Sequence, residues 1–151
     1  MATMEDNLVL VDTNILLYLY NDNEEIKNKS INKVDDLKNN GNKLFVSEQI
    51  IREFLVVQSN IQKITRKVNL IKLIDDTQYI YYNFSIIYPS ANSLSQLFIL
   101  TLKYNLQGKK LHDGNIVAIA MENNIRKIFT NKSSDFSFAT NGGFEIITLD
   151  T

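Results

Sequence analysis

The sequence predicts a three-layer α/β domain built on a mainly parallel central sheet. Short, unbroken apolar runs recur along the chain (LVLV, KLFV, KIFT and FEIIT), and longer stretches of helical spacing separate them. A strand covered on both faces reads as a continuous apolar run rather than an alternating one. Strands alternating with helices favour parallel pairing, with helices on the two faces. The chain has 151 residues with a single Pro and five Gly, so few positions force a break. No internal repeat or low-complexity linker divides it, and residues 1–151 are expected to form one domain.

The elements follow in order. LVLV (8–11) is the first strand. Residues 14–20 and roughly 23–39 read as helices, the second ending at Asn39-Asn40-Gly41, where Gly41 can supply a left-handed stop. KLFV (43–46) is the second strand, and Ser47 is a suitable N-cap for a helix from 48 to about 59. Another helix is expected over about 61–75. Residues 77–88 (TQYIYYNFSIIY) are rich in β-formers and read as an extended connector or edge strand. Pro89 and Ser90 introduce a helix to about 104, a Gly-Lys-Lys loop follows, and a further helix covers 113–123. KIFT (127–130) and FEIIT (144–148) are the last strands.

Composition narrows the function classes. Hydrophobic residues make up 44% and charged residues 22%, the balance of a soluble globular chain rather than a disordered or fibrous one. With no Cys, disulfides, thiolate catalysis and zinc–sulfur sites are excluded. No signal-like segment opens the chain and no apolar run approaches a membrane span, so a cytoplasmic protein without membrane contact is expected. The net charge of −1 does not match a protein that holds nucleic acid by broad phosphate attraction. Any such binding must be local, with bound metal supplying part of the positive charge.

Open parallel sheets bind ligands at the carboxyl ends of their strands. Asp12 directly follows LVLV and Asn131 directly follows KIFT, so both should open onto one edge, although either could simply cap the next helix. On the 48–59 helix, Ile50, Phe54 and Val57 form the inward stripe, and Glu53 shares that face. Glu48 and Arg52 fall toward other faces as solvated charges, and Arg52 or Lys67 could neutralise Glu53. On the 113–123 helix, Ile116, Val117 and Ala120 are the buried stripe, and Asp113 stands on the first turn, where the helix dipole alone would favour it. Three carboxylates aimed into one region cannot all stay ionised without a counter-charge. A hard divalent cation, Mg²⁺ or Mn²⁺, meets that need with oxygen ligands. A single His and no Cys make zinc a poor candidate. His112 could touch a phosphate, but a packing or capping role is the plainer expectation.

Four stretches, LVLVDTNILLYLY (8–20), VSEQIIREFLVV (46–57), LHDGNIVAIAMENN (111–124) and KIFTNKSSDF (127–136), together resemble the PIN-domain ribonucleases, specifically the single-domain VapC-type toxins. The likeness spans nearly the whole chain, with 58–110 matching only as helices. It implies a PIN-like fold and a metal site at Asp12, Glu53 and Asp113. It places Asn14 where a polar side chain helps hold a metal-bound water, and Thr130 at the small hydroxyl position beside the site. The family's fourth acidic position falls on Asn131, a departure; Asp135, four residues on, fits a known variant. Glu48 competes with Glu53 as the weaker match.

The resemblance further implies an endoribonuclease that uses Mg²⁺ or Mn²⁺ to cleave RNA phosphodiesters, commonly dimeric and held inactive by an antitoxin protein. Lys63, Arg66, Lys67, Lys109 and Lys110 are candidate groove-flanking cations. The Asn131 departure motivates an alternative, a PIN-like module that binds RNA or protein with weak or no catalysis. An Asp-dependent phosphatase or receiver domain is disfavoured, because Asp12 has no adjacent acidic partner.

Overall fold

The computed structural model describes residues 7–151. Its strands are β1 (Leu8–Val11), β2 (Lys43–Ser47), β3 (Ser85–Ile87), β4 (Lys127–Phe129) and β5 (Glu145–Ile147). All pair in parallel in the order β3-β2-β1-β4-β5. The helices are α1 (Thr13–Leu19), α2 (Glu24–Asn39), α3 (Glu48–Ile64), α4 (Leu70–Asn83), α5 (Ser93–Tyr104), α6 (Lys110–Glu122) and α7 (Ser133–Thr140). The result is the expected α/β/α arrangement.

The strand order explains the layers. From β1 the chain steps outward through β2 to β3, then returns past β1 to lay down β4 and β5 on the other side. Right-handed crossovers in opposite directions place their helices on opposite faces. Accordingly α1 packs on α2 and α3, and α3 on α4, while α6 packs on α5 and α7. The direction reverses between β1 and β4, the switch point at which sheets of this kind open a crevice beyond their strand ends.

Burial follows the apolar runs. Val9, Leu10 and Val11 are fully buried, as a central strand covered on both faces requires. Ile50 and Phe54 anchor α3, and Ile116 through Ala120 are buried in succession, so α6 is enclosed almost all round. The edge strands β3 and β5 are three residues each, which limits the open sheet edge. The expected caps are present. Gly41 adopts φ +84° after α2, and Ser47 Oγ accepts from the Ile50 N–H at 3.2 Å to start α3.

Several boundaries differ from the sequence reading. The helix expected to end near 59 continues to Ile64, because nothing between 58 and 62 breaks it. The interruption comes at Arg66, held at φ +57°, and Asn69 then caps α4 through the Lys72 N–H. The stretch 77–88 is not an extended connector: it is helical to Asn83, and only Ser85–Ile87 is strand. Burial of Leu73, Thr77 and Ile80 at helical spacing overrides the β-propensity of its tyrosines and isoleucines. The α6 helix begins at Lys110, not 113, so the second lysine of the expected loop is helical. Residues 133–140, to which no element was assigned, form α7, anchored by Phe136 and Ala139.

Candidate active site

Asp12 directly follows β1 and is the N-cap of α1, its Oδ1 accepting from the Thr13 N–H at 2.8 Å. The capping and functional readings of this residue therefore coexist. Its Oδ2 accepts from Asn14 Nδ2 at 2.6 Å and from the Thr130 hydroxyl at 2.8 Å. Asn14 Nδ2 also donates to Thr130 Oγ1 at 3.0 Å, and Asn14 Oδ1 accepts the Asn131 backbone N–H at 2.8 Å. This buried lattice ties the end of β1 to the end of β4 across the switch point. Burial is the main reason the Asp12 pKa is raised, with nearby Glu53 adding to it; the bonds from Thr130, Thr13 and Asn14 pull the other way.

Glu53, one turn and a half into α3, accepts from Thr13 Oγ1 at 2.8 Å through Oε2 and from Gln49 Nε2 at 2.9 Å through Oε1. Gln49 is itself held by Asn115 of α6, whose Nδ2 donates to Gln49 Oε1 at 2.6 Å. Helices from the two faces of the sheet are thus joined across the crevice. Among the described residues no cation pairs with Glu53. Arg52 pairs instead with Glu48, the i, i+4 neighbour, at 3.3 Å. Glu48 is spent in that surface pair and is not a wall of the crevice.

Asp113 stands on the first turn of α6, and Asp135 on the first turn of α7. Lys110 bridges them, its Nζ 3.7 Å from Asp113 and 3.6 Å from Asp135. Even so, the Asp113 pKa is pushed up to about 6. Burial is the largest cause and Asp135 the next; Lys110 opposes the shift, and Asp12 and Glu53 add to it. Asp113 therefore feels the three other carboxylates at the switch point. All four line an open cleft of about 830 Å³ whose walls also include Gln49, Asn115 and, on the basic side, Arg52, Lys109, His112 and Lys132.

The cleft separates the two candidates for the fourth position. Asp135 is part of its wall, whereas the Asn131 side chain is not, and Asn131 contributes its backbone N–H to Asn14. Val57, assigned to the core stripe of α3, faces the cleft instead and is 37% exposed. His112 is exposed on the wall rather than packed. Lys63, Arg66 and Lys67 lie away from the cleft. Lys63 is ten residues beyond Glu53, about 15 Å along the helix. Sequence reasoning missed Thr13, Gln49, Asn115 and Lys132. Thr13 sits inside the DTN motif and could have been found there, whereas the partnership of Gln49 with Asn115 needs the folded chain.

The donor set fits a hard divalent cation by chemistry, since carboxylate oxygens dominate and Asp12 and Asp113 sit where a positive charge is short. Among the described residues no three acidic or imidazole groups already form a closed ion cage. An ion would have to draw side chains of the open cleft toward itself.

A parallel α/β domain with a carboxylate-lined cleft at its switch point is the class defined by this fold and site. The PIN domain family model matches residues 9–137, and the chain belongs to that family. Comparison with curated proteins gave no match. Similar solved structures include VapBC2 from Rickettsia felis bound to a DNA fragment from its promoter, with TM-score 0.70 and 19% identity over 93% of this chain and 98% of that one. VapBC-1 from nontypeable Haemophilus influenzae gives 0.68 and 18%, over 95% and 99%. VapC20 of Mycobacterium tuberculosis, a sarcin–ricin loop cleaving toxin, gives 0.62 and 13%, over 92% and 98%. At these identities the likeness concerns the fold.

Proposed function

We propose that this chain is a metal-dependent endoribonuclease that cleaves RNA phosphodiesters and serves as the toxin of a toxin–antitoxin pair. The observation that carries the reading is the convergence of Asp12, Glu53, Asp113 and Asp135, from four separate elements, on one cleft. In this reading Asp12 and Asp113 would hold Mg²⁺ or Mn²⁺ together with Glu53, and Asp135 stands beside them on the cleft wall as the fourth carboxylate. When bound, the cation supplies Lewis acidity, activating water and offsetting the charge of the phosphate. Glu53 orients that water or accepts its proton at a carboxylate oxygen, with Thr13 and Gln49 fixing the direction of the carboxylate. Asn14 and Thr130 hold Asp12 in one rotamer and favour its ionised form. Arg52, Lys109, His112 and Lys132 take the flanking RNA phosphates, which lets an acidic protein bind a polyanion locally.

Partners follow the same reading. The similar structures include VapBC complexes, which supports an antitoxin partner. A homodimer is supported by exposed apolar residues on α4 and α5, among them Ile71 at 79% and Leu102 at 86%. No helix among the described residues is long and apolar enough to cross a membrane; the cytoplasm, where RNA is at hand, is the proposed location. A second reading, a PIN-like binding module with weak or no catalysis, is favoured by Asn131 standing where the family's fourth acidic residue is expected.

Cleavage of mixed cellular RNA with and without Mn²⁺ separates the two. Mn²⁺-dependent endonucleolytic products are expected from the wild type and none from Asp12→Asn combined with Asp113→Asn. Activity that survives the double substitution would sink the nuclease reading, and tight RNA binding without cleavage would establish the module.

A further inference from the structure

Lys110 is placed unlike the other cations of the cleft. It opens α6 one turn before Asp113, and its ammonium lies between Asp113 and Asp135 at 3.7 and 3.6 Å. It also donates to the backbone carbonyls of Ser134 at 3.2 Å and Asp135 at 3.0 Å, at the start of α7. Lys109 and Lys132, by contrast, line the cleft with no carboxylate partner among the described residues. The bonds of Lys110 fall into two sets. Those to the carbonyls are at hydrogen-bond length, while those to the carboxylates are longer ion-pair contacts. The ammonium can therefore release the carboxylates while keeping its hold on α7.

We propose that Lys110 is the built-in counter-ion of the cleft: its ammonium screens Asp113 from Asp135 while no divalent cation is bound, and gives up those carboxylates when one arrives. The inference rests on the reading that Asp113 is a metal ligand with Asp135 beside it. A divalent cation at about 2.1 Å from carboxylate oxygens repels an ammonium resting on the same groups, so the two cations compete. Competition has a signature that a tethering role lacks. Removing the Lys110 charge leaves the metal-free carboxylates less well screened, but removes the competitor, so metal binding tightens. If Lys110 served only to tether α7 and present Asp135, its removal would weaken metal binding.

The test is Mn²⁺ titration of the full chain by calorimetry, with free Mn²⁺ counted by electron paramagnetic resonance, on wild type, Lys110→Gln, Lys110→Met and Asp113→Asn. Gln retains an amide donor for the carbonyls without the charge, and the side chain of Lys110 is 42% exposed, so the fold should persist; circular dichroism verifies it. Both Lys110 variants should bind Mn²⁺ about three- to tenfold more tightly than wild type, the range expected for losing one or two partly exposed ion pairs. Both should melt lower without metal, and Asp113→Asn should lose binding. Equal or weaker Mn²⁺ binding by both folded variants, beside a wild type that binds, overturns the proposal alone. A wild type that binds no Mn²⁺ removes the metal reading beneath it, and the proposal with it.

Discussion

At the scale of single residues, Asp113 carries its negative charge at a cost to the fold. Asp113 in the folded chain holds its proton up to about pH 6, above the ordinary carboxylate value of 3.8. Folded protein therefore binds this proton more tightly than unfolded protein, and ionised Asp113 weighs against folding above pH 6. That burden is relieved as pH falls from 6 toward 3.8. Asp113→Asn should raise the melting temperature of metal-free protein at pH 7.5, and the gap from wild type should close toward pH 4, as followed by scanning calorimetry. Thr130 is the opposite case. Fully buried, it donates to Asp12 and accepts from Asn14 and the Lys132 N–H. Thr130→Val leaves these partners short of a bond and should cost about 1–3 kcal/mol in urea unfolding, whereas Thr130→Ser should cost much less.

At the scale of elements, the site depends on which helix presents each carboxylate. The contact between α3 and α6 through Gln49 and Asn115 aims Glu53 without touching any reacting atom. Gln49→Leu should leave the melting temperature nearly unchanged and lower kcat of the proposed RNA cleavage about tenfold or more, the usual cost of losing a group that orients an active-site side chain. The α7 helix carries Asp135 on the strength of Phe136, which is 1% exposed. Phe136→Ala should destabilise the chain by about 3–5 kcal/mol and blunt the thermal response to Mn²⁺, because Asp135 loses its platform. Elements also show what a sequence can disclose. The four runs LVLV, KLFV, KIFT and FEIIT were legible because unbroken apolar segments have few other uses. The helix over 70–83 was not, since its tyrosines and isoleucines favour strands locally and only the burial of Leu73, Thr77 and Ile80 decides otherwise. The α7 helix was hidden by its Ser, Asp and Thr content, typical of turns. Asp12, Glu53 and Asp113 were legible from strand ends and helical phase. The cleft position of Asp135 depended on the unread helix, which is why Asn131 and Asp135 could not be told apart before the fold was in hand.

At the scale of the whole molecule, ligand and fold are linked. If the cleft takes Mn²⁺ in the native state alone, each tenfold rise in Mn²⁺ above its dissociation constant adds about 1.4 kcal/mol to stability. Melting temperatures measured across a Mn²⁺ series at pH 7.5 should climb accordingly, and at pH 5, where protons compete for Asp113, the climb should begin at higher Mn²⁺. A flat series at both pH values would contradict this.

The strand order has a consequence for how the chain is made. Pairing between β1 and β4 waits until residues 127–129 have been synthesised, and Asp12 cannot meet Thr130 before then. Until that moment β1 is a bare sheet edge carrying Val9, Leu10 and Val11, an invitation to pair with another chain. Translation cut short just before this point would release a fragment that carries Asp12, Glu53 and Asp113 but lacks β4 and Asp135, with no closed cleft around them. Such fragments should be harmless to RNA and prone to aggregate, so any poison the protein carries is armed only once β4 and the residues up to Asp135 have been made.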